Sequence, residues 1–380
     1  MRSIVSFMIV VAALACYGEV AACTSAIVTA ERSSEGAPLL WKNRDSSYWN
    51  TCIKYVAEEG CYAYTSIVAN SDNHTNGSFG GINERGFGII NVSSPHLPST
   101  PKEEYPKGRT VVQYSGPGFT AKALKSCATV EEFEKMLRCE VRTMQKRHFS
   151  GNYGVADATG AAAYFEIWDT DYRRYDISEQ EQGFDVRANF SWAADPAKMG
   201  ASRRRYDIVM QEMTDLGVEK FSPHDLIHLS RSYNSVRYGD VLLNESAKYC
   251  QNHTVPRHTS IAAVVLVCDG AEPRMLVING HPVAGVAVPV YVRAKESIPQ
   301  CVATSEMVEL GMHFCSKAYT RVSKRLCEMN KDVISEVLNI PSPEIVMPRT
   351  LPKDIKSFNK KIDKSFTRYK RRVKAVLSES

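Results

Sequence analysis

Residues 23–45 read CTSAIVTAERSSEGAPLLWKNRD and contain two apolar runs separated by a polar, turn-forming segment. The alternation predicts strands at residues 24–30 and 38–43, joined by the ERSSEGA loop. A symmetric hairpin places Cys23 opposite Asp45, and the length of the loop allows a slip of a residue or two. The stretch therefore predicts an antiparallel pair of strands that brings a thiol close to a carboxylate.

The segment before Cys23 has the organisation of a secretory signal peptide. Arg2 is followed by an apolar run over residues 4–15, and Val-Ala-Ala precedes Cys23. The run is too short to span a bilayer. We expect cleavage after Ala22, which makes Cys23 the first residue of an exported, secreted or periplasmic chain. Val-Ala-Ala-Cys is also typical of a bacterial lipobox, in which the cysteine carries lipid and has no catalytic function.

Composition excludes several classes of protein. The 380 residues are 44% apolar and 23% charged, which is ordinary for a globular protein and excludes collagen, coiled coil and bulk disorder. The formal charge of +5 is uneven, because residues 351–380 carry a net +7 and the preceding 350 residues a net −2. Nothing in the near-neutral body favours a nucleic-acid partner.

The cysteines allow disulfides but do not suggest a metal site. An exported chain can pair its cysteines, and Cys52–Cys61 and Cys127–Cys139 are close enough in sequence for local bridges. The sequence leaves the full connectivity open. No group of Cys and His residues has zinc-binding spacing, so neither a metal nor a cofactor is expected.

Strands that alternate with paired helices predict an α+β fold. Further strands are predicted at residues 62–69, 86–92, 162–168, 260–268 and 275–278, and helices at residues 121–127, 130–138, 203–214 and, in pieces, 306–338. After a Pro-rich boundary, apolar residues recur every three or four positions from Ile355 to Leu377 and predict an amphipathic helix with a basic polar face. That helix either packs on the body or makes a weak contact with an anionic membrane or polymer.

An N-terminal Cys23 would be a self-contained nucleophile. The ordinary pKa of an α-amine is about 7.7–8, so the amine can take the thiol proton and later give it to a leaving amine. Asp45 is the candidate that orients this amine. Asn91 and Asn189, at two strand ends, are the candidate donors for an oxyanion.

The opening segment resembles the start of the N-terminal-nucleophile linear amide hydrolases. That superfamily includes choloylglycine hydrolases, penicillin V acylases, acid ceramidase and the isopenicillin N acyltransferase group. The opening Cys-Thr-Ser, the glycine nine residues before Asp45 and the Asn-x-Asp ending all match. NERGFGIIN and RANFSW resemble the family blocks that contain Asn91 and Asn189, and ASRRRYD resembles the element with an active-site arginine, here Arg205. The resemblance spans residues 23–295 and is nearest to the secreted, acyltransferase-like branch.

The resemblance implies a four-layer αββα sandwich over residues 23–300. A helical packing segment would follow at residues 301–340, and a linker with the basic helix at residues 341–380. It also implies an amidohydrolase that cleaves a small-molecule amide through an acyl-enzyme on Cys23. Lys42 stands where many members have arginine, and lysine keeps the charge but lacks the planar guanidinium.

Three functions stay open at this stage. They are an exported amidohydrolase, an acyltransferase that uses the same acyl-enzyme, and a non-catalytic surface lipoprotein or binding protein anchored at Cys23. Abundant water favours hydrolysis outside the cell. A papain-like pair of Cys23 with His258 or His281 is a weaker alternative for the chemistry. The sequence does not fix the substrate, which could be a bile-salt conjugate, an N-acyl amino acid, a β-lactam side chain, a ceramide-like lipid or a dipeptide, nor whether the chain forms a homo-oligomer.

Overall fold

The structure is a computed structural model. It describes residues 23–70, 77–98, 115–143, 150–168, 171–195, 200–233, 254–323 and 326–379. The predicted signal peptide lies outside these residues. No helix in the described part of the chain is long and apolar enough to cross a membrane.

The described strands form two large antiparallel sheets and one hairpin. In chain order they are β1 (Thr24–Val28), β2 (Leu39–Asp45), β3 (Thr51–Val56), β4 (Tyr64–Ala69), β5 (Gly80–Asn83), β6 (Gly88–Val92), β7 (Gly151–Ala156), β8 (Ala162–Ile167), β9 (Tyr172–Asp176), β10 (Phe184–Arg187), β11 (Ser260–Val267), β12 (Arg274–Ile278), β13 (Val288–Tyr291), β14 (Tyr319–Ser323) and β15 (Leu326–Met329). The six-stranded sheet has the order β10-β1-β2-β11-β12-β13. The seven-stranded sheet runs from β3 to β9 in sequence order, and β14 pairs with β15.

The helices cover the outer faces of the sheets. They are α1 (Gly116–Ser126), α2 (Val130–Thr143), α3 (Gly200–Asp215), α4 (Pro223–Leu229), α5 (Gln300–Ala303), α6 (Glu306–Ala318), α7 (Lys331–Leu338) and α8 (Ile355–Glu379). Phe119, Phe133 and Phe165 form an aromatic cluster that fixes α1 and α2 on the seven-stranded sheet. On the other side, α3 packs on β10 and α4 on β11.

The two sheets face each other across an apolar interior. Ile27 and Leu40 reach from β1 and β2 to Gly154 and Gly88 of the opposite sheet, where a Cβ would lie within about 3 Å of them. β11 is the run SIAAVVLV, buried throughout, as a central strand covered on both faces should be. The layers therefore follow the order helix, sheet, sheet, helix. This arrangement confirms the expected α+β, αββα sandwich.

The hairpin register differs by one residue from the symmetric prediction. Thr24 pairs with Asn43, and Ser25 pairs with Lys42. The connection occupies residues 29–38, and Ser33 and Ser34 are bridged to Phe221, which fixes the loop from a distant part of the chain. Continued outward by one residue, this register places Cys23 opposite Arg44 rather than opposite Asp45.

Neither of the two local disulfides that the sequence allows is formed. Cys52 and Cys61 are free thiols, the first buried on β3 and the second exposed in the turn that follows it. Cys127 is a free thiol as well, so it does not bridge to Cys139.

The C-terminal helix α8 packs on the body of the molecule. Its buried side chains follow the predicted helical spacing: Ile362, Phe366, Tyr369, Val373 and Leu377. The Asp363 carboxylate accepts hydrogen bonds from the backbone N–H groups of Gln300 and Cys301, at 3.1 and 2.9 Å, and so caps the start of α5. The hairpin β14–β15 separates α6 from α7 within the stretch where the sequence predicted helix in pieces. The division into domains stays a prediction.

Candidate active site

Cys23 lies immediately before β1, the strand between β10 and β2 in the six-stranded sheet. It is buried, and its Sγ donates weakly to the backbone carbonyl of Asp45 at 3.9 Å. Side chains alternate along β1 and β2, so Ser25, Lys42 and Arg44 share the face directed at the other sheet. Cys23 falls on this same face by the alternation. The thiol therefore lies where the two sheets meet.

Lys42 connects the two sheets at this point. Its Nζ donates to the backbone carbonyl of Phe79 at 2.7 Å and to Oδ1 of Asn91 at 2.8 Å. Because Lys42 binds the oxygen of the Asn91 amide, the nitrogen end is directed elsewhere. Asn91 Nδ2 makes no hydrogen bond to another described residue. It lies close to Gly116, the first residue of α1, where a Cβ would be 3.5 Å from this nitrogen. Lys42 therefore orients the Asn91 amide and leaves its N–H groups free of other described residues, as the predicted oxyanion donor requires.

Asp45 lies on the opposite face of β2, among polar side chains of the same sheet. Its Oδ1 accepts from Ser260 Oγ at 2.6 Å and from Asn43 Nδ2 at 3.0 Å. Its Oδ2 is buried and makes no hydrogen bond, although Arg257 Nη1 lies 3.6 Å away. Burial raises the pKa of Asp45, and the nearby cations Arg257 and Arg205 oppose that rise. The site thus contains one carboxylate oxygen that lacks a hydrogen-bond donor.

Arg205 of α3 holds the strand end that carries Cys23. Its Nη1 donates to the Cys23 carbonyl and to Thr24 Oγ1, both at 2.8 Å, and its Nη2 donates to Asn189 Oδ1 at 2.7 Å. Asn189 Nδ2 in turn donates to the Ser93 carbonyl at 2.7 Å. An oxyanion would have to use the second proton of that nitrogen. The structure therefore brings Arg205 and Asn189 to Cys23, with Asn189 already engaged.

The neighbourhood of Cys23 is strongly cationic. Burial lowers the pKa of Lys42 to about 8 and those of Arg44 and Arg205 to about 10. Negative charge on the Cys23 sulfur would oppose this lowering in all three groups, which agrees with their placement around it. At neutral pH these cations outnumber the one carboxylate, so the site favours developing negative charge.

Sequence reasoning missed the second set of residues around Asp45. Asn43, Arg257 and Ser260 surround the carboxylate, and Arg257 and Ser260 are contributed from more than 200 positions further along the chain. A cue existed in the sequence, because the polar run PRHTS directly precedes the apolar strand β11. This pattern indicates that Arg257 and Ser260 lie at the start of a strand. It does not indicate that this strand pairs with β2, which carries Asp45.

His281 is buried among groups that hold its ring in place. Its Nε2 lies 3.0 Å from the Arg257 carbonyl, and its ring packs on Phe314 and Tyr319. Burial lowers the pKa of His281 to about 3, so the imidazole stays neutral at ordinary pH. No contact between His281 and Cys23 occurs within the described residues, and the papain-like alternative gains no support from His281.

The described residues contain no cluster of three or more His, Cys, Asp or Glu side chains that could hold a metal ion.

Comparison with known proteins gives only distant structural similarity. No protein-family model matches the chain, and no curated protein matches it. A variant of the conjugated bile acid hydrolase from Clostridium perfringens aligns with a TM-score of 0.45 and 10% identity, over 72% of this chain and 93% of that one. Penicillin V acylase from Agrobacterium tumefaciens aligns at 0.42 and 12%, over 71% and 86%. The Caenorhabditis elegans N-acylethanolamine-hydrolyzing acid amidase ortholog aligns at 0.40 and 16%, over 65% and 93%. Similarity at this level does not assign an activity.

Proposed function

We propose that the protein is an exported amidohydrolase of the N-terminal-nucleophile type, which cleaves a linear amide C–N bond through an acyl-enzyme on Cys23. The strongest support for this proposal comes from the Asp45 carboxylate. Asp45, whose backbone carbonyl lies 3.9 Å from Cys23 Sγ, has a buried Oδ2 that accepts no hydrogen bond from a described residue, and Arg257 Nη1 lies 3.6 Å from it. Buried carboxylate oxygens are rarely left without a donor, and the α-ammonium released by cleavage after Ala22 would supply one.

The reaction then follows from the groups around the thiol. The α-amine removes the proton from Cys23 Sγ, and the sulfur attacks the amide carbonyl carbon. Negative charge on the carbonyl oxygen is stabilised by Asn91 Nδ2, which Lys42 orients. The C–N bond breaks as the α-ammonium returns a proton to the leaving amine. Water, deprotonated by the α-amine, opens the thioester and releases the acid.

Arg205 is a positioning residue in this scheme. Its hydrogen bonds to the Cys23 carbonyl and to Thr24 Oγ1 fix the strand end on which both the thiol and the amine stand. Fixing the nucleophile close to the carbonyl carbon removes much of the entropic cost of the attack.

The test begins with the exported protein itself. Intact mass and N-terminal sequencing should show a chain that starts at an unmodified Cys23. A panel of N-acyl amides should then reveal a hydrolysed substrate, with Cys23→Ala inactive and Cys23→Ser retaining little turnover. Cys61→Ala, which removes an exposed free thiol, is the matched control and should keep full activity. A blocked or lipidated Cys23, or full activity of Cys23→Ala, would show that the mechanism is wrong.

A further inference from the structure

Arg44 is a buried cation whose side chain finds no hydrogen-bond acceptor among the described residues. Its side chain is on β2, and only 5% of the residue is exposed. The guanidinium stacks on the ring of Phe79, with 3.8 Å between Cζ and the ring centroid. Its Nη1 is buried, and no described residue accepts a hydrogen bond from it. A buried donor of this kind is rarely left unused in a folded protein.

The other cations around Cys23 have protein partners. Lys42 donates to Phe79 and Asn91, and Arg205 donates to Cys23, Thr24 and Asn189. Arg257 lies 3.6 Å from the Asp45 carboxylate. Arg205 and Arg257 also have buried nitrogens without a hydrogen bond, but each has a polar or charged partner as well. Arg44 differs from them because its contact within the described residues is the face of an aromatic ring.

Arg44 also lies next to the nucleophile. Ser25 pairs with Lys42, so the next pair outward on the same face is Cys23 and Arg44. Side chains opposite each other on antiparallel strands have Cβ atoms about 4.5–5.5 Å apart. The electrostatic interaction between Arg44 and the Cys23 thiol agrees with this placement. Any group bound by the guanidinium would therefore be part of the molecule under attack.

A carboxylate is the group that matches these donors best. A guanidinium presents a planar fork that binds both oxygens of a carboxylate, and the pairing is stronger where water is excluded. Burial lowers the pKa of Arg44 to about 10, which still leaves it charged at neutral pH. In an N-acyl α-amino acid, two atoms separate the carboxylate carbon from the scissile carbonyl carbon. That short span suits neighbours such as Cys23 and Arg44.

We propose that Arg44 binds the carboxylate of the amine half of the substrate, so that the enzyme prefers N-acyl α-amino acids over amides with neutral leaving groups. This inference rests on the proposed function, since it places the carboxylate relative to the bond cleaved at Cys23. A neutral leaving group such as ethanolamine would leave the Arg44 guanidinium unpaired.

Binding can be measured without catalysis. Mature protein with Cys23→Ala is titrated calorimetrically with N-decanoylglycine and with N-decanoylethanolamine, which share one acyl chain. We expect Arg44→Gln to weaken binding of the glycine conjugate by about 10- to 100-fold and to leave the ethanolamine conjugate unchanged. Arg44→Lys should restore part of the affinity. Arg138→Gln is the matched control, because Arg138 is an exposed arginine of α2 and its loss should change neither ligand.

Kinetics on protein with an intact Cys23 separates recognition of the substrate from activation of the thiol. Arg44→Gln should raise KM for the glycine conjugate and leave KM for the ethanolamine conjugate unaltered. An equal loss of kcat on both substrates with no change in KM for the glycine conjugate would instead mean that Arg44 only stabilises the thiolate, and the carboxylate site would be wrong. Absence of binding of N-decanoylglycine to the Cys23→Ala protein, or equal binding by Arg44→Gln, would overturn it too.

The two proposals fail in different ways. If no amide is hydrolysed but the Cys23→Ala protein still prefers the glycine conjugate through Arg44, the proposed function is wrong and the carboxylate site stands. Thermal unfolding of Arg44→Gln checks that the variant folds. We expect it to be at least as stable as the parent, because the substitution removes a buried and unsatisfied charge. If it does not fold, Arg44→Lys provides the comparison.

Discussion

At Lys42, burial and charge oppose each other. The ammonium is almost fully buried between the sheets, and burial lowers its pKa to about 8. Arg44 lowers this pKa further, whereas Cys23 and Asp45 raise it. The proton on Lys42 strengthens its hydrogen bond to Asn91, so under the proposed mechanism the orientation of the Asn91 amide should depend on pH.

We therefore expect the rate of the wild-type enzyme to fall as pH rises through about 8, where Lys42 loses its proton. In Lys42→Arg this loss should disappear, because a guanidinium stays protonated throughout that range. The α-amine of Cys23 acts in the other direction, since it must be unprotonated to accept the thiol proton. Profiles of kcat/KM from about pH 5 to 10 check the expectation, and an identical alkaline limb in both proteins would contradict it.

Asp45→Asn tests the carboxylate separately from the polar side chains around it. The amide oxygen can still accept from Ser260 and Asn43, but the charge that would hold the α-ammonium is lost. We expect kcat to fall by about 100-fold or more. Burial raises the pKa of Asp45, so the folded state binds the proton more tightly than the unfolded state does. Burying the ionised form therefore costs stability above the folded pKa, and that cost fades as pH falls through it.

The neutral amide avoids that cost, so the unfolding temperature of Asp45→Asn at pH 7 should change little. Ser47→Ala, at an exposed position just beyond the same strand, is a suitable control and should leave both rate and stability unchanged. An unaltered rate in Asp45→Asn would give the carboxylate a purely structural function.

Among the secondary-structure elements, the long apolar patterns were predictable and the short polar strands were not. β1, β2, β11 and the C-terminal helix follow clear periodicities of two or of three to four residues. β9 has the sequence YRRYD, which shows no apolar pattern. It forms a strand because it pairs with β8. Strand propensity reflects packing against neighbours, which a single sequence does not reveal.

The candidate site shows the same limit in its register. The hairpin predicted that Cys23 and the Lys42–Asp45 segment would be adjacent, and the structure brings them together. A shift of one residue exchanges the two faces of a strand, so Arg44 takes the place opposite Cys23 that symmetry gave to Asp45. The loop between the two strands is hydrogen-bonded to Phe221, almost 190 residues further along the chain. Local sequence could not supply that contact.

At the scale of the whole molecule, the positive charge of residues 351–380 is concentrated on the outward face of α8, which forms a basic ridge. The apolar face of α8 is already buried against the body, so its outward face presents cations and no insertable apolar surface. Exposed basic residues occupy that face: Lys356, Lys360, Lys361, Lys364, Arg368, Arg371, Arg372 and Lys374. At 100° and 1.5 Å per residue they cover an arc of about 160° and a length of about 27 Å. Any attachment through this helix must therefore be electrostatic rather than by insertion.

We expect this ridge to bind anionic lipid surfaces in a salt-dependent manner. Each basic residue near such a surface contributes about 1 kcal/mol, so removing four should weaken binding on the order of 1,000-fold. The test variant replaces four ridge residues by glutamine: Lys360, Lys364, Arg368 and Arg371. The control makes the same change of charge at exposed positions elsewhere: Lys54, Arg85, Lys135 and Arg173. Cosedimentation with phosphatidylglycerol-containing vesicles at low salt should detect the parent and the control but not the ridge variant, and the signal should vanish at high salt. Equal binding by both variants would assign the effect to net charge and leave α8 as a packing helix.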